Sequence, residues 1–147
     1  MGIVLAFIGI ALLTGGSFVA SALGVGITGG ATIGAMKKKP DRFGLYIALS
    51  ALGSSQGLYG FVGFMLLQKF LVPEITMFQG MAILGVGLMV AFVAIYANLK
   101  QADICASGIK AIAEGHNVFA STMVLAVFPE FFAILSLLVV IIVAGII

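Results

Sequence analysis

A chain of 147 residues that is 63% hydrophobic and only 8% charged has too little polar surface to fold in water as an ordinary domain, where roughly a quarter of residues are charged. A net charge of +2 is too small to argue for nucleic acid, and a single cysteine and single histidine leave no intrachain disulfide and no zinc or haem site built from such ligands. The expected solvent is lipid.

Charges and prolines divide the chain into four apolar stretches, roughly 2–36, 44–70, 77–110 and 118–147. Each exceeds the ~20 residues that cross a bilayer as a helix. Alternation of period two is absent, so helices satisfy the backbone in lipid rather than a closed barrel. The first stretch begins like a signal peptide over Met1 to Gly24, but it lacks a basic n-region and runs on to Met36, so it reads as the first membrane helix. It carries Ala22, Gly26, Gly30 and Gly34 at intervals of four, a small-residue stripe that lets helix backbones approach closely, with Gly15, Gly16, Gly24 and Gly29 expected to extend it. The break at Lys37, Lys38, Lys39, Pro40, Asp41 and Arg42 holds four of the seven basic residues. The second stretch presents Leu52, Ser55, Gln56 and Tyr59 at i, i+3, i+4 and i+7, one helix face bearing a hydroxyl, an amide and a phenol. Lys69, Pro73 and Glu74 form the second break. The third stretch carries Gln101 and Cys105, the latter read as a small core residue. Lys100 and Lys110 flank the third break, whose centre is Glu114, Gly115 and His116.

Short connections make neighbouring helices antiparallel. The expected fold is therefore an all-α membrane protein of four transmembrane helices in two tandem hairpins, residues 1–73 and 74–147. By the positive-inside rule, loops 37–43 and 111–117 face the cytoplasm and both termini lie on the opposite side of the cell membrane. A shift of 74 residues lays Gly34 on Gly108, Pro40-Asp41 on Glu114-Gly115 and Gln56 on Glu130. Two copies inserted the same way are related by an axis along the membrane normal, and rotation about such an axis can be repeated until a ring closes.

Glu130, in Phe128-Pro129-Glu130-Phe131-Phe132, lies near the middle of the last stretch. A charge there costs about 3 kcal/mol on insertion scales, so it marks a functional site or a protonated carboxyl held inside the bundle. Pro129 removes the bond to the Leu125 carbonyl and loosens the helix beside it. Counted from the loops, Gln56 and Gln101 lie at the depth of Glu130, and Lys100 is the nearest base, closer to the cytoplasm. One carboxylate ringed by hydroxyl and amide groups either holds a proton or forms an oxygen cage for a dehydrated monovalent cation. Two glutamines and a hydroxyl exceed what a proton requires, which favours sodium.

At these residues the chain resembles a family. Ser55-Gln56-Gly57-Leu58-Tyr59-Gly60-Phe61, Gln101 within Leu99-Lys100-Gln101-Ala102, and Pro129-Glu130-Phe131-Phe132-Ala133-Ile134-Leu135 look like the membrane rotor proteolipid of V-type (vacuolar and archaeal-type) rotary ATPases, called subunit K in bacterial sodium-pumping members. The resemblance covers essentially the whole chain. It implies a ring of identical subunits turning in lipid against a membrane stator and docking central-stalk subunits through its loops. It also implies one ion per subunit, at Glu130. Side chains matching Ser55, Gln56, Gln101 and Glu130 and the Leu52 carbonyl would coordinate sodium, or Glu130 alone a proton, and Tyr59 would hydrogen-bond the carboxylate. This sequence departs from some members in having Gly53 in place of proline and Ser55 in place of threonine. The resemblance implies no catalysis by this chain, and no nucleotide-binding motif is present. Because Gln56 stands where Glu130 stands in the other half, there is one acid per four helices. Fewer ions per turn lets a fixed hydrolysis energy work against a larger gradient, each charge costing about 2.3 kcal/mol per 100 mV.

A small four-helix cation or drug exchanger also carries one membrane acid, but usually in its first helix and beside an aromatic pocket. A glutathione-using membrane enzyme needs arginines at helix ends, and Arg42 stands alone here.

Overall fold

The computed structural model describes residues 1–147 and is almost entirely helical. Helix α1 spans Gly2–Met36, α2 Phe43–Ala51, α3 Ser55–Leu67, α4 Met77–Ala113 and α5 Phe119–Ile146. Three of them, α1, α4 and α5, are individually long and apolar enough to cross a membrane. The second apolar stretch, expected as one continuous helix, is instead two short helices joined by a 3₁₀ turn at Leu52–Ser54. The cause is local. Gly53 adds no side chain to stabilise the helix, and the hydroxyls of Ser54 and Ser55 turn back onto the carbonyls of Ala51 and Leu52, at 2.7 and 3.0 Å.

Helix ends follow the punctuation. Thr76 caps α4 by accepting from the Gln79 amide N–H while the Gln79 side chain accepts from the Thr76 N–H, a reciprocal capping box. At the other end Gly115 takes φ +103°, a conformation that favours glycine, and the N–H groups of Gly115 and His116 return to the carbonyls of Ile112 and Ala111. Lys37 to Lys39 and Pro40 stop α1.

Helices α1 and α4, the first of each half, run parallel and in close contact. A Cβ on Gly9 would stand 2.5 Å from the Ile83 carbonyl oxygen, and one on Gly16 would stand 2.6 Å from the Ala91 Cβ. At the loop end Lys38 meets Glu114 at 3.7 Å. The expected glycine stripe thus divides. Gly16 and Gly24 turn inward onto α4, whereas Gly15, Gly26, Gly29, Gly30 and Gly34 face outward with nothing within 4 Å of an added Cβ. The helix carries two glycine faces because Gly2, Gly9, Gly16 and Gly24 recur every seven or eight residues and so return to one side of α1 every two turns.

The core is in two pieces. One, toward the termini, gathers Ala6, Ile10, Leu13, Leu67, Ile83, Val86, Val90 and Val140. The other, toward the loops, gathers Tyr46, Leu49, Cys105, Ile109, Ile112 and Ala126. Large side chains such as Phe92, Phe128 and Phe132 stand exposed on the outside, where only an apolar surrounding would accept so many. Between the two apolar clusters lies a polar layer.

Candidate functional site

That layer is built on Glu130. Its Oε2 accepts from Ser55 Oγ at 2.9 Å, Gln56 Nε2 at 3.2 Å and Gln101 Nε2 at 2.8 Å, and its Oε1 accepts from the Tyr59 hydroxyl. Four donors from two neighbouring helices thus converge on one half-buried carboxylate of a third. Hydrogen bonds to a charged group contribute about 1.5–3 kcal/mol each, enough together to offset the cost of placing a carboxylate at mid-membrane. Ser55, Gln56 and Tyr59 come from one face at the start of α3, as their i, i+1 and i+4 spacing at a helix start allows. Gln101 reaches across from α4 and also donates to the Ala126 carbonyl at 3.1 Å, tying α4 to α5 one turn before Glu130. Pro129 sits inside α5 without interrupting it.

The oxygens here outnumber the available protons. Ser55 Oγ lies 3.0 Å from the Leu52 carbonyl and 2.9 Å from Glu130 Oε2, and its one proton serves a single acceptor at a time. Gln56 Oε1 and Gln101 Oε1 are buried with no hydrogen-bond partner at all. Both glutamines are 1% exposed, so water does not satisfy them. An amide turned by 180° exchanges its oxygen and nitrogen with almost no change of shape. The set then becomes two amide oxygens, a hydroxyl, a backbone carbonyl and a carboxylate, the hard oxygen donors that suit a small cation.

All six residues singled out in the sequence, Leu52, Ser55, Gln56, Tyr59, Gln101 and Glu130, meet in this layer. Lys100, the one nearby base, is exposed and turned away, its Nζ 5.7 Å from the centre of the Tyr96 ring, and it forms no ion pair with Glu130.

Sequence reading missed the groups that hold the broken rod. Five consecutive carbonyls at the turn each lie within hydrogen-bond distance of a side-chain donor. Thr28 Oγ1 donates to Ser50 at 3.3 Å, Ser54 Oγ to Ala51, Ser55 Oγ to Leu52, Asn98 Nδ2 to Gly53 at 2.9 Å, and Ser21 Oγ to Ser54 at 3.1 Å. Ser21 Oγ also accepts from the Gly57 N–H at 2.8 Å, and Thr32 Oγ1 pairs with Ser50 Oγ at 2.7 Å. Polar residues at Ser21, Thr28 and Thr32 on the first apolar stretch were the available signal, since a hydroxyl in lipid needs a partner.

The chain matches the family model for the ATP synthase C subunit twice, over residues 8–67 and 84–143. It is 33% identical over 135 residues to the V-type sodium ATPase subunit K of Enterococcus hirae, a match spanning 92% of this chain and 86% of that relative. It is also 32% identical over 137 residues to the A-type ATP synthase subunit K of Methanocaldococcus jannaschii, spanning 93% of this chain and 60% of that longer relative.

Proposed function

From the premise that the chain belongs to the ATP synthase C-subunit family, the non-catalytic, membrane-embedded rotor proteolipids that form rings in rotary ATPases, we propose that it carries sodium ions across the membrane, driven by ATP hydrolysis on other subunits. The observation that carries the sodium reading is the surplus of oxygen at Glu130. Two buried glutamine oxygens lack donors, and the Ser55 hydroxyl has one proton between the Leu52 carbonyl and the Glu130 carboxylate. A proton site needs none of the first two. The Enterococcus hirae relative, named for a sodium ATPase, supports the same choice.

In this reading Glu130, Gln56, Gln101, Ser55 and the Leu52 carbonyl hold sodium. One carboxylate cancels its one charge, so the loaded site passes through hydrocarbon as a neutral unit. Tyr59 donates to Glu130 Oε1 and keeps the carboxylate folded against the bundle. Glu130 is only half-buried, so it needs a small side-chain movement to meet a stator and exchange its ion. The chain crosses the membrane four times as two hairpins, 1–73 and 74–147, with the broken α2–α3 rod as one crossing. The two matches to one family model support that division. The outward glycines of α1, which admit another backbone, suit contact with a second copy in the ring. Lys39, Arg42 and His116 line a shared cavity of about 270 Å³ between the two loops, a basic end that supports a cytoplasmic placement facing the stalk.

The proton alternative has one observation in its favour: the carboxylate is already fully hydrogen-bonded by protein donors. Carbodiimide labelling of the purified ring separates the two. The reagent is expected to modify Glu130, and sodium is expected to protect it at neutral pH. Labelling that sodium leaves unchanged at every pH would assign the site to protons.

A further inference from the structure

Asn98 is fully buried on α4, one turn toward the termini from Gln101, and it hydrogen-bonds to neither Glu130 nor its four donors. Its Nδ2 donates to two carbonyls, Ala20 on α1 and Gly53 in the 3₁₀ turn, and its Oδ1 has no partner. The amide thus bridges α4, α1 and the break in the second rod. Room for it exists because its neighbour on α1 is Gly24, where a Cβ would stand 2.6 Å from Asn98 Oδ1. The 3₁₀ turn itself comes close to α1, since a Cβ on Gly53 would stand 3.1 Å from the Gly24 carbonyl carbon.

We propose that Asn98 is a positioning residue for the ion site, which sets cation affinity by fixing the direction of the Leu52 carbonyl. Gly53 is the pivot between two peptide planes. The plane on one side carries the Leu52 carbonyl, and the plane on the other carries the Gly53 carbonyl. Glycine alone would let these planes swing independently. Asn98 anchors the Gly53 carbonyl, and Ser21 anchors the next carbonyl and the Gly57 N–H. Asn98 and Ser21 thus hold the two peptide planes after Gly53, one each, and the Ser55 N–H of the second plane donates to the Leu52 carbonyl and keeps it in position beside Ser55. A buried amide that satisfies two acceptors while leaving its own oxygen unpaired is a poor choice for packing alone, and an apolar side chain of similar size would fill the space. The two donated bonds are what it supplies.

The proposal rests on the sodium reading, and the test keeps the two apart. The sodium concentration that halves carbodiimide labelling of Glu130 is measured on intact rings, with assembly checked by native mass. Asn98→Leu keeps the branched shape, adds some bulk and removes both donors. Its half-protecting concentration is expected to rise tenfold or more, with the labelling rate in the absence of sodium little changed. Asn98→Ser, which keeps one donor, should fall between. Gly24→Ala pushes the amide off its acceptors without removing it, and should shift affinity the same way if Asn98→Leu fails to assemble. Assembled rings of these variants with wild-type sodium dependence would overturn the role of Asn98. If the wild-type ring shows no sodium protection, the sodium reading fails by itself. The midpoint pH of labelling then carries the test: a shift of one unit or more in Asn98→Leu supports the role, and an unmoved midpoint overturns it.

Discussion

The two halves of the chain meet at Glu130 with opposite solutions to one problem. In the first half the second rod tightens into a 3₁₀ turn at Leu52–Ser54, directly before Ser55 and Gln56, whose side chains meet Glu130. In the second half the corresponding rod, α5, runs unbroken from Phe119 to Ile146 despite Pro129 and delivers a carboxylate. Under the 74-residue shift Gly53 lies on Val127, Ser55 on Pro129, Gln56 on Glu130, and Gly24 on Asn98. The first copy therefore provides only neutral groups, Leu52, Ser55, Gln56 and Tyr59, whereas the second provides the charge and one further amide, Gln101. Two identical halves would each bring an acid, whereas here the first half's counterpart of Glu130 is the neutral Gln56, and the two side chains end 3.2 Å apart.

The comparison breaks most completely if the charge is removed. Glu130→Gln makes the halves alike in being neutral. Ring assembly should persist, and coupled sodium transport by the reconstituted complex should fall by at least about 100-fold, consistent with loss of the only charged ligand. Transport by that variant above one-tenth of wild type would show that the second half's acid is not the carrier. A smaller effect is expected from the neutral half. Ser55→Ala deletes the hydroxyl between the Leu52 carbonyl and Glu130 and should raise the half-protecting sodium concentration about tenfold, in line with about 1.5 kcal/mol for a bond to a charged group. Ser55→Thr keeps the hydroxyl and should stay within threefold. The smallest effect belongs to Pro129→Ala. Because α5 is continuous with proline present, alanine should change sodium protection less than threefold. A tenfold change would mean that the proline, rather than the break in the first half, shapes the site.

Much of this was legible in the sequence. The bounds of α1, α4 and α5 follow from where charges and prolines interrupt apolar runs. Counting residues from the loops placed Gln56, Gln101 and Glu130 at one depth, and side chains at one depth on packed helices meet. The break in the second rod was not legible. Gly53, Ser54 and Ser55 favour the 3₁₀ turn locally but occur in many continuous helices, and the remaining bonds that fix it come from elsewhere, from Thr28, Ser21 and Asn98. Hydrogen bonds between distant elements leave no period in a sequence. The split glycine stripe failed for a related reason. Spacing reveals that a face is small, but Gly16 and Gly26 differ only in which neighbour each one faces.

On this account neutral oxygens from both halves and the single acid of the second together hold a cation. Equilibrium binding of radioactive sodium to the purified ring tests it most directly. One sodium per chain is predicted, displaced by protons as the pH falls and absent in Glu130→Gln. Saturable binding that survives in Glu130→Gln, or no sodium bound by the wild-type ring at any pH, would contradict it.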